Sequence, residues 1–225
     1  MSDLIRYEQR EGGVVVITWD MRDAPMNVLN EASMEAFSAA VERALGDHAV
    51  KGVIITSAKP DFIAGADLNM LRGAHEQPAE GFFERNLRIK ALFRAMETGK
   101  KPFVAALPGT TLGGGYEIAL ACHRRIAADN PKAQIGLPEV KLGLLPGGGG
   151  TQRLPRMIGA REALPLMTEG KTLDPQRAKA KGLVDEVVPA AELLERARAW
   201  ILENPSPAQP WDAPKLHLTI RPAVV

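Results

Sequence analysis

Two glutamates in glycine-rich segments are the residues of this sequence with the clearest chemical potential. Glu117 follows the glycine triplet 113–115 and opens an apolar run with helical spacing, and Glu139 stands 22 positions later (139 − 117) between further glycines. Glycines let a ligand approach bare backbone N–H groups, and the first turn of a helix carries unpaired donors and a partial positive charge. The pattern therefore predicts backbone amides that receive an anionic oxygen while two carboxyl groups move protons, which is acid–base chemistry on a carbonyl compound.

Hydrophobic periodicity predicts the strands and helices that position these two acids. Segments 4–9 and 14–19 are expected to form a β-hairpin, and the apolar run 52–56 is typical of a strand buried on both faces. A strand over 103–107 delivers the chain to the glycine triplet. Because strands and helices alternate over about the first 190 residues, the sequence predicts an α/β fold with mainly parallel pairing.

Several helix starts carry recognisable caps. Asn30 is expected to cap a helix that ends near Leu45, and Thr151 is expected to cap a helix over 152–158. Asp67 precedes a short helix and reads equally well as its cap or as a ligand contact.

A long helix is predicted from Pro78 to about Thr98. Its apolar side chains recur at helical spacing, which predicts that they face the core and are not primarily an acyl pocket. These side chains are Phe82, Phe83, Leu87, Ile89, Leu92, Phe93 and Met96.

Composition excludes several classes of protein. The net charge is +1 and no long block of like charge occurs, so neither nucleic acid nor a membrane surface is an expected partner. The lone Cys122 excludes an internal disulfide framework or a cysteine-based zinc cluster and is expected in the core, and the scattered histidines have no metal-ligand spacing. No apolar run approaches the ~20 residues of a membrane span, and the first residues do not resemble a signal peptide. A cytoplasmic location is therefore expected.

The sequence divides into a globular part and a proline-rich end. Residues 1–204 carry the periodic pattern and are predicted to form one domain. Residues 205–225 contain five prolines, too many for a helix, and are predicted to be a linker or an extended C-terminal arm. Neither glycine run matches the dinucleotide or Walker phosphate motifs.

Four stretches in register resemble the enoyl-CoA hydratase/isomerase, or crotonase, family. The similarity extends over about residues 5–204. The sequence around Glu203 to Asp212 is similar to the multifunctional fatty-acid oxidation enzymes of that family, in which a hydratase half precedes a 3-hydroxyacyl-CoA dehydrogenase half. The four stretches are Phe62-Ile-Ala-Gly-Ala-Asp-Leu68, Leu112-Gly-Gly-Gly-Tyr-Glu117, Gly136-Leu-Pro-Glu139, and Leu142-Gly-Leu-Leu-Pro-Gly147 running into Gly150-Thr-Gln-Arg-Leu154.

The resemblance implies a crotonase-like spiral of β-β-α turns with an acyl-CoA bent across it. It implies that the N–H groups of Ala66 and Gly114 form an oxyanion hole for the thioester oxygen. Glu117 would hold and deprotonate the attacking water, and Glu139 would deliver a proton to the α-carbon. The residues implied to line the adenine and pantetheine path are Ala64, Gly65, Asp67 and Leu68.

The same resemblance implies a reaction and leaves alternatives open. The expected activity is hydration of trans-2-enoyl-CoA to 3-hydroxyacyl-CoA in fatty-acid β-oxidation, with Δ3–Δ2 isomerisation as a side reaction. No metal or redox cofactor is implied, because coenzyme A arrives with the substrate. The alternatives are an isomerase-only relative, or a non-catalytic CoA-binding fragment of a larger enzyme. The expected partners are the acyl-CoA, and either further copies of this chain or a covalently linked dehydrogenase half.

The segment 26–29 also resembles a family segment near the CoA entrance. Its members are Met26, Asn27, Val28 and Leu29.

Overall fold

The computed structural model describes residues 4–73 and 78–212. Its main sheet has six strands in the order β1-β2-β3-β4-β6-β9. The β1–β2 pair is antiparallel and the other neighbours are parallel. The strands are β1 (Ile5–Arg10), β2 (Val14–Trp19), β3 (Gly52–Ser57), β4 (Phe103–Leu107), β6 (Arg124–Ala128) and β9 (Glu186–Val188).

The central strands are buried on both faces, as their continuous apolar sequence predicts. Every residue of β2 and β4 is buried. Parallel strands need a crossover between them, and the crossover helices cover the sheet. The predicted α/β class, the hairpin and the strands at 52–56 and 103–107 are therefore confirmed.

A second, small sheet lies beside the main one and consists of β5 (Thr111–Leu112), β7 (Ile135–Gly136) and β8 (Thr172–Leu173). β5 pairs in parallel with β7, which pairs antiparallel with β8. Two isolated parallel bridges, Leu29 with Ala66 and Ile63 with Thr111, extend this arrangement to loop segments distant in sequence.

The helices pack on both faces of the main sheet. α8 covers one face through Leu193, Ala197 and Ile201, while the larger core on the other face includes side chains from α1 and α4. The helices are α1 (Glu31–Gly46), α2 (Leu68–Gly73), α3 (Ala79–Thr98), α4 (Gly114–Ala121), α5 (Gly150–Ile158), α6 (Ala160–Thr168), α7 (Pro175–Ala180) and α8 (Leu193–Glu203). No helix in the described ranges is both long enough and apolar enough to span a membrane.

Two helix caps confirm the sequence prediction and one corrects it. The Asn30 side chain accepts from Ser33 N at 2.9 Å in a capping box, and Asp67 Oδ1 accepts from Asn69 N at 2.8 Å. Thr151 is not a cap. α5 begins at Gly150, two residues before the predicted start at residue 152, because the left-handed Gly149 ends the preceding loop.

The prediction that α3 buries all its apolar side chains is wrong for its first half. Leu92, Phe93 and Met96 are buried, whereas three others lie exposed because only the C-terminal turns of α3 pack on the body. The exposed side chains are Phe82, Phe83 and Leu87.

The first residues of the proline-rich end pack against the body. Gln209 is buried, and its Nε2 donates to Ala121 O and Cys122 O at 3.2 and 3.1 Å, at the end of α4. Asp212 accepts two hydrogen bonds from Arg94. Residues 213–225, the rest of the predicted linker or arm, lie outside the described residues.

Candidate active site

The segments that carry the two predicted oxyanion-hole amides run side by side. Ile63 and Thr111 form a parallel bridge, and Leu112 N donates to Ile63 O at 3.0 Å. Ala66 and Gly114 each lie three residues beyond that bridge (66 − 63 and 114 − 111). Their equal offset puts both amides at the same end of two neighbouring segments.

Leu29 determines which way the Ala66 amide faces. Leu29 N donates to Gly65 O at 2.8 Å, and Asp67 N donates to Leu29 O at 2.9 Å. Successive residues of a paired segment direct their peptide groups to opposite sides. The Ala66 N–H therefore points away from Leu29, toward the side on which residues 111–114 lie.

The Gly113 turn joins the strand to α4. Gly113 has φ 53°, in the left-handed region that favours glycine, and its N–H donates to Gly136 O at 3.0 Å. Gly114 is the first residue of α4, where a backbone N–H has no partner inside the helix. The turn thus presents an amide at the positive end of the helix dipole.

Glu117 lies in the first turn of α4 and is only 4% exposed. Its Oε1 accepts a 2.7 Å hydrogen bond from Gly150 N. Burial raises the pKa of the Glu117 carboxyl, while the N–H groups of residues 148–150 and the charge of Arg153 oppose that rise. The second glycine loop therefore supplies backbone donors that hold this acid.

The Glu139 carboxyl approaches the Gly113 turn, at the start of α4, from the side of the small sheet. The hydrogen bond between Gly113 and Gly136 ties the two segments together, and Glu139 begins a 3₁₀ turn three residues later. A Cβ added to Gly113 would lie 3.4 Å from Glu139 Oε1, so the carboxyl group lies against the glycine turn.

The surroundings of the Glu139 carboxyl differ from those of Glu117. Within the described part of the chain, Glu139 Oε2 is buried without a hydrogen-bond partner. Burial, and to a lesser extent the charge of Glu117, raise the pKa of Glu139 to about 7. The two acids are thus close enough to affect one another, and near neutral pH a substantial fraction of Glu139 retains its proton.

The predicted CoA-binding residues lie along one segment but offer different groups. The N–H of Ala64 donates to Asn27 O at 2.9 Å and that of Asp67 to Leu29 O, so neither is available to a ligand. The Asp67 carboxylate caps α2, and Leu68 beside it is 53% exposed. Leu68 is the most exposed of these four residues.

Asn27, assigned to the CoA entrance from the sequence, is buried, and its side-chain amide joins three segments by hydrogen bonds. Its Nδ2 donates to Ser57 Oγ at 2.8 Å and to Phe62 O at 3.0 Å, and its Oδ1 accepts from Met21 N at 3.1 Å. It fixes the start of the segment that carries Ala66.

Two charged residues near the site were not identified from the sequence. Glu97, on the buried face of α3, accepts from Arg153 Nε at 2.6 Å. Arg153 lies in the stretch used for the family resemblance, and Glu97 follows Met96 on the apolar face of α3. An acid at a predicted core position is the signal that could have revealed the pair.

A family model decides the classification. The model described as enoyl-CoA hydratase/isomerase matches residues 9–209, which is most of the chain. The chain belongs to the enoyl-CoA hydratase/isomerase family. The predicted crotonase-like fold is confirmed by the solved structures of family members that it resembles. An enoyl-CoA hydratase from Bacillus anthracis is 35% identical with a TM-score of 0.79, covering 89% of this chain and 76% of that one.

A second solved structure is similar to the chain to nearly the same degree. The enoyl-CoA hydratase from Thermoplasma volcanium GSS1 is 32% identical with a TM-score of 0.78, covering 90% of this chain and 77% of that one.

Among curated proteins, the chain is similar to part of two longer proteins. It is 46% identical over 192 residues to the fatty acid oxidation complex subunit alpha of Idiomarina loihiensis, covering 84% of this chain and 27% of that protein. It is 40% identical to the subunit of the same name from Shewanella amazonensis, covering 95% of this chain and 30% of that protein. The chain thus spans less than a third of the length of these relatives.

Proposed function

We propose that the chain hydrates trans-2-enoyl-CoA thioesters to 3-hydroxyacyl-CoA in fatty-acid β-oxidation. Family membership supports an enzyme acting on an enoyl-CoA, and the relatives named as fatty acid oxidation complex subunits support the metabolic role. The observation that carries the proposal is that Glu139 lies against the Gly113 turn, which opens the helix of Glu117, and is close enough for the Glu117 charge to raise its pKa, in the segment beside the Ala66 and Gly114 amides.

The thioester oxygen would bind between the N–H groups of Ala66 and Gly114. These donors would stabilise the negative charge that develops on that oxygen as the enolate forms. One such donor is typically worth about 3–4 kcal/mol of transition-state stabilisation. Withdrawal of electrons by this polarised carbonyl makes the β-carbon electrophilic.

The two acids would then divide the proton transfers. Ionised Glu117, whose charge is supported by backbone donors, would take a proton from water as its oxygen attacks the β-carbon. Protonated Glu139 would give its proton to the α-carbon. Pairs of acids in unlike surroundings commonly separate into base and acid in this way, and each contributes about 10²–10⁴-fold.

The CoA portion would lie along residues 64–68. The exposed Leu68 side chain would contact the pantetheine arm, while Ala64, Gly65 and Asp67 shape the path and hold the Ala66 amide. The proposed reaction uses no separate cofactor. The chain spans 27% of the length of the Idiomarina loihiensis relative, which supports a covalently linked dehydrogenase half in the full-length protein.

Isomerisation of a 3-enoyl to a 2-enoyl thioester is a second candidate. The raised pKa of Glu139, about 7, lets this group both release and accept a proton near neutrality. One acid could then move a proton between the α- and γ-carbons of the acyl chain while the oxyanion hole holds the dienolate.

Hydration of crotonyl-CoA, followed by loss of ultraviolet absorbance, tests the proposal. We expect turnover by the wild-type chain and losses of about 10²–10⁴-fold in kcat for Glu117→Gln and Glu139→Gln, with Glu35→Gln, an exposed acid on α1, as the matched control. Retention of full activity by both site variants would overturn the assignment. Conversion of a 3-enoyl-CoA without hydration would favour the isomerase, and tight binding without turnover would favour a CoA-binding fragment.

A further inference from the structure

A buried ion pair lies behind the glycine loop that contacts Glu117. The Glu97 and Arg153 side chains are only 2% and 11% exposed, and Arg153 Nε lies 2.6 Å from Glu97 Oε1. The other carboxylate oxygen of Glu97 accepts a hydrogen bond from Arg94 Nη1 at 2.9 Å. Glu97 therefore holds Arg153 from the side opposite to the loop.

Arg153 contacts the outer side of that loop at two points. Its Nη1 donates to Gly148 O at 3.1 Å. A Cβ added to Gly149 would overlap the same Nη1, and Gly149 has φ 113°, a left-handed conformation that favours glycine.

The inner side of the loop faces Glu117. Gly150 N donates to Glu117 Oε1 at 2.7 Å, and a Cβ added to Gly148 would lie 2.8 Å from Glu117 Oε2. The loop is therefore one peptide layer thick between the guanidinium and the carboxylate. A shift of this layer away from Glu117 would remove the donors that hold the acid.

We propose that Arg153, fixed by Glu97, is a positioning residue that keeps the backbone donors of residues 148–150 against Glu117. The inference rests on the proposed function, since it concerns the acid assigned as the base. Arg153 acts through the loop and does not contact the reacting atoms.

Stability alone does not explain a buried pair at this place. Removing two charges from water costs free energy that their attraction often only offsets, and apolar side chains of similar volume would pack as well. An arginine, unlike an apolar residue, has a rigid planar group with several N–H donors. Arg153 can therefore bond Gly148 O and Glu97 at the same time.

The charges around Glu117 define a readout that a merely structural role would not change. Arg153 from α5 lowers the pKa of Glu117, and burial raises it; Glu139 faces the same acid from the 3₁₀ turn. Glu97 from α3 faces Arg153, and Arg94 from the same helix pairs with Glu97. Without the Arg153 charge the pKa of Glu117 rises, so the ionised base is lost at a higher pH.

Turnover of crotonyl-CoA across pH provides the first test, with Arg153→Met, Arg153→Lys and Glu97→Gln. For Arg153→Met we expect kcat to fall about 10–100-fold, the order expected when a hydrogen bond to a charged group is lost, with KM changed less than about twofold. The acid limb of its pH profile should move to higher pH. Arg153→Lys keeps the charge but not the planar fork, so it should restore both the position of the acid limb and kcat only in part. Arg156→Met is the matched control, because Arg156 lies one turn along α5 and, within the described residues, its side chain donates to Gln152 and not to the glycine loop.

Titration of the Glu117 carboxyl by ¹³C NMR provides the second test and needs no turnover. The signal is identified by its absence in Glu117→Gln, and in Arg153→Lys or Glu97→Gln it should titrate differently from wild type, because the backbone donors of residues 148–150 shift away from Glu117. An inactive wild-type chain would refute the proposed function but leave this readout intact. An unchanged Glu117 titration in the Arg153 and Glu97 variants, or unchanged kcat and pH profile in Arg153→Met, would overturn the positioning role.

Discussion

Gly150 N donates a 2.7 Å hydrogen bond to Glu117 Oε1 across 33 residues of sequence. The neighbouring acid is held differently, since Glu139 Oε2 is buried and, in the described residues, has no hydrogen-bond partner. Backbone donors stabilise an ionised carboxylate, and an unpaired buried oxygen favours the protonated form. This difference supports the proposed roles of Glu117 as the base and Glu139 as the acid.

The rate of hydration should depend on the protonation of Glu139. Its pKa is raised to about 7, chiefly by burial, and a general acid works only while it carries its proton. We expect kcat/KM to fall as pH rises through about 7, measured with crotonyl-CoA at low substrate concentration. Because the two acids are coupled, the limb belongs to the pair. If Glu139 is the general acid, the residual activity of Glu139→Gln should no longer fall as pH rises through about 7. A fall that persists in this variant would contradict that role.

The same group should make folding stability depend on pH. The pKa of Glu139 is higher in the folded state than its ordinary value of 4.5, so its contribution is fully present below about pH 4.5 and is lost as pH rises through about 7. Glu139→Gln cannot ionise and should be more stable than wild type at pH 8 by roughly 1 kcal/mol, after allowance for partial exposure. Urea unfolding at pH 4.5 and 8 measures this, and an equal difference at both pH values would refute it.

A side chain at Gly114 should disturb the oxyanion hole through Leu29. A Cβ there would lie 2.5 Å from Leu29 Cδ1, and Leu29 also pairs with Ala66. Gly114→Ala should cost about 1–3 kcal/mol of stability, as overpacking does, and at least tenfold in kcat.

A double-mutant cycle checks the origin of that loss. Leu29→Val removes the clashing methyl group, so the double variant should be less destabilised than the sum of the single changes. Gly46→Ala is the control, because no atom of the residues that the structure describes, apart from its chain neighbours and the backbone of its own helix, lies within 4 Å of the added carbon. Additive effects of Gly114→Ala and Leu29→Val would show that Leu29 is not the cause.

Loss of the Asn27 amide should destabilise the chain and weaken the site together. Its amide joins Ser57, Phe62 and Met21 inside the protein, and buried groups left without partners cost about 1–3 kcal/mol. Asn27→Ala should lower the free energy of unfolding by that amount and reduce kcat through a displaced Ala66. Thermal unfolding and hydration kinetics on one preparation would detect both, and an unchanged melting temperature would be contrary to expectation.

Removal of the Gln209 side chain should weaken the end of α4. Its Nε2 bonds the carbonyls of Ala121 and Cys122, which no later turn of the helix can satisfy. Gln209→Ala should cost about 1–3 kcal/mol in urea unfolding. Ser206→Ala, at an exposed position in the same segment, should remain within about 0.5 kcal/mol of wild type. Equal effects of the two changes would refute this role.

The sequence by itself determined the elements whose causes are local. Asn30 before an apolar periodic run specifies a capped helix, and the glycine triplet before Glu117 specifies a turn that opens α4. These signals lie within a few residues of the structure they produce. The family motifs similarly indicated which acids and amides to consider.

Only the tertiary structure decided the partners of those residues, because the decisive contacts join segments far apart in the chain. Leu29 orients Ala66, Gly150 holds Glu117, and Glu97 reaches Arg153 across 56 positions. The exposure of Phe82 likewise depends on where α3 leaves the body, which its helical periodicity does not encode. Periodicity specifies which face of a helix is apolar, but the packing of distant elements determines how much of that face is covered and which charges are enclosed with it.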